Sequence, residues 1–222
     1  MQKHEIVILI PCFNEEKTII KICKQAKKFG KILIVNDNSN DNSGIVIEKE
    51  KFNFISNKKN LGYERSLVKG FRYIFNNYKK AKYILTLDAD GELPVSNIPK
   101  IVRIIKKQNY DLVSGKRFRF NRLSEYLLDY IFRSRFDFKD PISGFKLYKI
   151  KSLKKIINQI SFKMFLVDIV VNFYRLNFLM KNINITTKKR KDNSRVGNRL
   201  ISNLKILKIV YKILREKINE KN

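Results

Sequence analysis

Three carboxylates close the apolar run YILTLDADGELP (83–94): Asp88, Asp90 and Glu92. Carboxylates resist burial unless they are paired or hold a cation. On a strand, residues i and i+2 share a face, so Asp88 and Asp90 would present their carboxylates together. Two such groups repel one another, and an oxygen-only donor set suits Mg²⁺ or Mn²⁺ rather than zinc. Glu92 would add a third oxygen. A site of this kind leaves coordination positions for substrate phosphates, and its metal offsets charge that develops on a departing phosphate.

Competing chemistries fail on the residues. DADGE begins like a calcium loop, but its sixth position is Leu93 rather than Gly and its twelfth is Pro99 rather than Glu. No GxxxxGK[ST] occurs, and no GxGxxG follows the first apolar run. The sole histidine, His4, precedes that run at the N-terminus and reads as a surface residue, which leaves no Ser-His-Asp triad. The two cysteines, Cys12 and Cys23, form no CxxC and imply no disulfide framework, in keeping with a reducing, cytoplasmic setting. Cys12 has no neighbour that would stabilise a thiolate, so it reads as a small strand-end residue.

The acids need a scaffold, and the first 115 residues supply its pattern. Strand-like runs cover 5–11, 31–37, 52–56, 82–90 and 111–115, nearly continuous in apolar character as in strands covered on both faces. Helical stretches are expected over 15–29, 61–79 and 96–108. This alternation predicts an α/β fold, a mostly parallel central sheet flanked by helices. Such sheets bind ligands beyond the carboxyl ends of their strands. The first strand ends in PCFNEE, the second in NDNSND and the fourth in DADGE, so acids and amides converge on one edge.

The second half has a different texture. Residues 118–138 interleave aromatics, leucines and arginines in a helical pattern, and DPISGFKLY (140–148) carries turn chemistry. A helix is expected over about 162–180, followed by the basic run KKRKDNSR (188–195). The tail 199–218 places Leu200, Leu204, Leu207, Tyr211, Leu214 and Ile218 on one face, ringed by Lys205, Lys208, Lys212 and Arg215. The organisation reads as a catalytic domain over 1–197 and a basic amphipathic helix over 198–222. The 222 residues are 44% hydrophobic, enough for a real core. A net charge of +28 and a pI of about 10.1 point to anionic partners, a signal to be discounted so far as the many Lys, Ile and Asn residues reflect a biased genomic composition. No stretch approaches the roughly 20 apolar residues of a membrane span, and MQKHEIVILIP is too short for a secretory signal.

Taken in order, these motifs resemble those of family 2 glycosyltransferases of the GT-A fold, especially the dolichyl- and polyprenyl-phosphate sugar transferases, over about residues 5–197. IPCFNEE resembles the first-strand P-x-[YF]-N-E signature. VNDNSNDNS resembles V-D-D-G-S-x-D-G-T, with Asn36, Asn38 and Asn42 in place of an Asp and two Gly. DADGE matches D-x-D, SGKRF the G-S-R segment, and DPISGFKLY the D-x-x-S-G-F block. The resemblance implies that Pro11, Phe13, Glu15, Val35 and Ala89 line the nucleotide-sugar pocket and that Asp37 contacts the base. It implies that Asp88, Asp90 and Glu92 hold Mg²⁺ or Mn²⁺, and that Arg117 faces phosphate. KKRKDNSR stands where the family has R-x-x-G-x-S-K, which assigns Lys189, Arg190 and Arg195 to acceptor phosphate, with Asp192 replacing the glycine. Glu64 also departs from the family, standing where Gly is common.

The reaction so implied is inverting transfer of a sugar from a GDP- or UDP-sugar to a polyprenyl or dolichyl phosphate. The lipid phosphate is already anionic, so positioning and leaving-group stabilisation are the main requirements. A hydroxyl acceptor, as in polysaccharide or glycolipid synthesis, would need a base. Asp140 is the candidate for that catalytic role, against its reading as a turn residue before Pro141. The helices at 118–138 and 199–218 suit the surface of an anionic membrane, on its cytoplasmic face, and a membrane-anchoring subunit is equally compatible. A non-enzymatic nucleic-acid-binding protein fits less well. The basic residues form no recognised reading motif, and an acid-lined strand edge repels phosphates unless a cation intervenes.

Overall fold

The computed structural model describes residues 5–120, 122–160, 165–188 and 199–215. Its strands are β1 (Ile6–Cys12), β2 (Lys31–Asn36), β3 (Phe54–Ser56), β4 (Tyr83–Thr86), β5 (Leu112–Lys116), β6 (Lys146–Lys149) and β7 (Met180–Asn184). They form one sheet in the order β3-β2-β1-β4-β6-β5-β7. Among these strands only β6 runs against the rest, paired antiparallel to β4 (Leu85 opposite Leu147) and to β5 (Val113 opposite Leu147).

Helices cover both faces, which explains why the strand sequences are apolar without alternation. Ile6, Ile8 and Ile10 of β1 face one layer, where helices α1 (Ile19–Ala26), α2 (Ser43–Lys49) and α4 (Ile98–Lys107) pack. In α1 the buried residues Ile19, Ile22, Cys23 and Ala26 follow the i, i+3, i+4, i+7 stripe of an amphipathic helix. Val7 and Leu9 face the other layer, built on α3 (Tyr63–Asn77), α5 (Leu123–Phe136), α6 (Ile150–Ile156) and α7 (Phe165–Arg175). Each fully buried aliphatic side chain contributes about 1.5–3 kcal/mol. A Cβ at Gly70 would lie 2.3 Å from Leu9 Cδ1, so glycine lets α3 lie tightly on β1.

Helix α8 (Arg199–Arg215) joins the second layer. Its Ile206, Val210 and Ile213 are buried in the same core as α5 and α7, and the Ser124 hydroxyl donates to Asn203 Oδ1 at 2.6 Å. Leu204, Leu207, Tyr211 and Leu214 occupy an adjacent stripe and stay exposed.

Several boundaries differ from the sequence reading. The expected helix over 15–29 starts only at Ile19, because residues 13–18 form the loop that carries Glu15. The expected helix to residue 180 stops at Arg175; Asn177 turns left-handed (φ 53°), and Met180 already begins β7. The helix over 118–138 is confined to Leu123–Phe136. The strand expected over 82–90 ends at Thr86, so the DADGE acids stand in the loop beyond it. Helices α2 and α6 and strands β6 and β7 are short and had no periodic signal of their own.

Candidate active site

The carboxyl ends of β1, β2 and β4 open into a cavity of about 560 Å³. Pro11, Cys12, Phe13 and Glu15 follow from β1, Asp37 from β2, and Asp88, Ala89 and Asp90 from β4. This is the edge at which open α/β sheets bind ligands. A second depression of about 540 Å³ lies at the amino end of β2, near Lys27, Lys31, Asn53 and Tyr78, and no carboxylate lines it.

Asp88 and Asp90 are brought together by a turn rather than by a strand pleat. Gly91 adopts φ 77°, and Asp90 Oδ1 accepts the Glu92 N–H at 2.9 Å, closing the loop on itself. Asp88 Oδ1 accepts the Tyr63 hydroxyl at 2.7 Å. Burial, followed by the neighbouring Asp90 charge, pushes the Asp88 carboxyl up to about 6. Burial and the same Asp88 carboxylate push the Tyr63 phenol well above its ordinary value, so it remains a donor. On the far side, a Cβ at Gly144 would lie 2.3 Å from Asp88 Oδ2, so the bare backbone there forms the cradle wall. Thr86 holds that wall by donating its hydroxyl to the Gly144 carbonyl at 2.7 Å.

Two half-buried carboxylates that share one cavity wall are a donor set suited to a hard divalent cation. Among the described residues, no three acid, imidazole or thiol groups gather into a ready-made cation cage. Glu92, expected as a third ligand, does not line the cavity; its carbonyl accepts the Lys188 N–H at 2.8 Å. That bond ties the start of the basic run to the acid loop. Lys189, Arg190, Asp192 and Arg195 lie outside the described residues, as does His4.

The loops after β1 and β2 brace one another. The Glu15 N–H donates to Ser43 Oγ at 2.8 Å, and the Asn40 N–H donates to Asn14 Oδ1 at 2.8 Å. Asp37 accepts from Asn57 Nδ2 (2.6 Å), Leu61 N (2.8 Å) and Gly62 N (2.8 Å), which fixes the loop leading into α3. The family departures in this loop find a physical account. Asn38 stands at φ 57°, a conformation that Asn tolerates nearly as Gly does, and Asn36 Oδ1 still accepts from the Ser39 N–H and hydroxyl. Val35 is a correction to the sequence reading. It is buried in the sheet core, and Asp37, two residues on, is the one that reaches the cavity.

Arg117 and Asp140 also differ from expectation. Arg117 Nε and Nη2 each lie 2.9 Å from an Asp140 oxygen, the Arg117 N–H donates to Asp140 Oδ2 at 3.0 Å, and Nη2 is 3.3 Å from Glu125 Oε2. Burial opposes the guanidinium charge, but the Asp140 hydrogen bonds and the charges of Asp140, Glu125 and Asp88 together outweigh it and push the Arg117 pKa up. Neither residue lines the cavity, and Asp140 is fully buried. Asp140 therefore acts as an internal anchor, held in turn by its own N–H donating to Asp129 Oδ1 at 2.6 Å. Its left-handed backbone (φ 47°) agrees with the turn reading. Lys146 is buried beside this pair, donating to the carbonyls of Pro141 and Ser143, and burial pulls it down to about 7. Burial pushes the Cys12 thiol up to about 11, in keeping with an inert residue.

Three site residues were missed in the sequence: Tyr63, Gly144 and Lys205, which reach the cavity from α3, the loop before β6, and α8. Gly144 carried a local signal in the S-G-F block and Tyr63 in NLGYE, which resembles the family's N-x-G-[KY]-G, whereas Lys205 was read only as part of the basic ring of the tail. Nearby, α5 and α8 set their exposed apolar stripes beside each other, with Leu123 87%, Tyr130 70% and Tyr211 60% exposed. Among the described residues no helix is long and apolar enough to cross a membrane.

A mostly parallel sheet flanked by helices, with an acidic loop at the carboxyl end of its fourth strand, is the architecture of the GT-A glycosyltransferases. Glucosyl-3-phosphoglycerate synthase from Mycobacterium tuberculosis, crystallised with Mn²⁺ and UDP-glucose, shares this fold with a TM-score of 0.72, covering 94% of this chain and 77% of that one at 14% identity. The chain belongs to glycosyl transferase family 2, whose family model matches residues 7–173, and it is a glycosyltransferase. The uncharacterized protein MJ1222 of Methanocaldococcus jannaschii is 26% identical over 98% of this chain and 94% of its own length. The undecaprenyl-phosphate 4-deoxy-4-formamido-L-arabinose transferase of Proteus mirabilis is 30% identical over 51% of this chain and 37% of that protein.

Proposed function

We propose that the protein transfers a sugar from a nucleoside-diphosphate donor to a polyprenyl phosphate, with inversion at the anomeric carbon. The observation that carries this reading is the state of Asp140. The acidic residue best placed in sequence to serve a hydroxyl acceptor is fully buried and bound at both oxygens by Arg117. A phosphate acceptor needs no such base, because its oxygen is anionic before it attacks. The polyprenyl-phosphate sugar transferases among the relatives support the same acceptor class.

Asp88 and Asp90 are the residues that would hold Mg²⁺ or Mn²⁺, and the bound ion would supply positive charge against the departing nucleoside diphosphate. The neighbour whose structure contains Mn²⁺ with UDP-glucose supports that expectation. Tyr63 and Gly144 keep the Asp88 carboxylate in place. Pro11, Phe13, Glu15, Asp37 and Ala89 would enclose the nucleotide-sugar. The exposed apolar stripes of α5 and α8, flanked by Arg133, Lys208, Lys212 and Arg215, would rest on an anionic membrane from its cytoplasmic side. Proximity to the acceptor's own phase follows from that placement.

The test is a panel of GDP- and UDP-sugars assayed with Mg²⁺ or Mn²⁺ against polyprenyl phosphate, polyprenol and soluble sugars. Transfer is expected only to the phosphate, with EDTA or Asp90→Ala abolishing it. Transfer confined to a hydroxyl acceptor would overturn the acceptor assignment, and activity that survives both treatments would overturn the metal site.

A further inference from the structure

The charge balance of the cavity leaves one question open: what receives the acceptor's phosphate. Four carboxylates line it, those of Glu15, Asp37, Asp88 and Asp90. Among the described residues lining it, Lys205 is the only cation. Arg117, which the sequence assigned to phosphate, is committed to Asp140 and does not line the cavity.

We propose that Lys205 of α8 is the group that binds the phosphate of the lipid acceptor; this assignment rests on the polyprenyl-phosphate reading above. Lys205 is exposed, and among the described residues it makes no hydrogen bond or ion pair within 4.0 Å. Its position is nonetheless fixed. The next residue, Ile206, is buried together with Val210 and Ile213, and Asn203 is held by Ser124 on α5. Lys205 is thus carried by a packed helix with its ammonium free to meet a ligand.

Two features favour the acceptor's phosphate over the donor's diphosphate. Lys205 stands beside Glu64 of α3, whose carboxylate takes the backbone N–H groups of Leu166 and Phe165, and Leu166 itself lines the cavity. Of this corner, Lys205 and the apolar Leu166 face the cavity, while the Glu64 carboxylate is engaged by backbone N–H groups with the Asp168 charge nearby. The surface offered to a ligand thus suits a phosphate bearing a hydrocarbon tail, and the Asp88–Asp90 pair serves the donor. Lys205 also belongs to a basic stripe with Lys208, Lys212 and Arg215 that runs along α8 next to its exposed apolar stripe. A helix resting on lipid through Leu207, Tyr211 and Leu214 would hold Lys205 at headgroup depth.

The experiment is calorimetric titration of the full-length protein with geranyl phosphate, a short water-soluble prenyl phosphate, with Mg²⁺ present. Geraniol serves as the control for the phosphate, and a nucleoside diphosphate as the control for the donor subsite. Lys205→Ala is expected to weaken geranyl phosphate binding about tenfold, the scale of one lost charge-assisted contact at a partly exposed site. Lys205→Arg should stay within about twofold of wild type, and nucleoside diphosphate binding should not change in either variant. Geranyl phosphate affinity that is unaltered in Lys205→Ala, or equal to that for geraniol, overturns the proposal. Loss of nucleoside diphosphate binding in place of geranyl phosphate binding also overturns it, by moving Lys205 to the donor. Failure of the functional reading is separate: wild-type protein would then transfer sugar to a hydroxyl acceptor in the donor panel, whatever Lys205 does. Lipid-phosphate transfer with an unchanged acceptor KM in Lys205→Ala would sink only the Lys205 assignment.

Discussion

The backbone of Gly144 and the carboxylate of Asp88 occupy adjoining space: a Cβ on Gly144 would lie 2.3 Å from Oδ2 and 2.4 Å from Oδ1. No real Cβ tolerates such an approach, so glycine at 144 and the orientation of Asp88 are one structural feature. Gly144→Ala is therefore expected to displace the carboxylate while the sheet stays folded. Activity should fall by about 100-fold, as for a misplacement of roughly an ångström at a reacting centre, with little change in circular dichroism. Wild-type turnover in this variant would show that Asp88 does not need its present orientation.

Tyr63 sets the charge of the same group. Its hydroxyl hydrogen bond favours the ionised form of Asp88, against burial and the Asp90 charge, which together push the carboxyl up to about 6. Protons and a divalent cation compete for that carboxylate, so activity and metal affinity should both decline as pH falls through about 6. Tyr63→Phe removes the donor and raises the Asp88 pKa further, which moves the acid limb to higher pH by on the order of half a unit to one unit. A pH–rate profile measured at subsaturating metal and saturating donor checks this. An acid limb that stays put in Tyr63→Phe would assign it to another group.

Glu64 gives a stability signature. Burial pushes its carboxyl up from 4.5 to about 7. Between those values the folded protein binds more protons than the unfolded chain, so this contribution is complete below pH 4.5 and is lost as pH rises through 7. Glu64→Gln keeps an acceptor for the Leu166 and Phe165 N–H groups and removes the titration. It should flatten the decline over that interval and raise stability at pH 8 by on the order of 1–2 kcal/mol, allowing for partial exposure. Urea unfolding of both proteins at pH 5 and pH 8 measures the difference.

Arg117→Ala separates a structural role from a phosphate-binding one. Removing the guanidinium leaves Asp140 fully buried without its partner, which costs about 3–5 kcal/mol and should appear as a large drop in the urea midpoint. Arg117→Lys should be intermediate, since an ammonium cannot bridge both carboxylate oxygens in parallel. A variant that keeps its midpoint and only raises the acceptor KM would return Arg117 to phosphate contact, as the sequence resemblance implied.

How much of this was legible beforehand follows from the range of each interaction. The apolar runs of β1, β2 and β4 and the acids at their ends are local features, and an open α/β sheet places strand ends at one edge by topology. The acids Glu15, Asp37, Asp88 and Asp90 could be read for that reason, Pro11, Phe13 and Ala89 followed from the family resemblance, and all seven line the cavity. The pairing of Arg117 with Asp140 was hidden because it spans 23 residues and depends on how the loop before β6 folds back. Arginine and aspartate each carry a recognisable charge in sequence, but only packing reveals that they neutralise one another.

Hydrophobic pattern and motif order are written along the chain, so the α/β class, the acidic strand edge and the family could be read from the residues alone. Tertiary structure alone decided that Gly144 walls Asp88, that β6 enters antiparallel between β4 and β5, and that α8 brings Lys205 to the cavity. These are contacts between residues distant in sequence. Their geometry is fixed by which buried faces meet, as Ile206, Val210 and Ile213 meet the core around α5. A stripe of residues on a helix records that a face is apolar, but the partner that covers it is chosen by the rest of the fold.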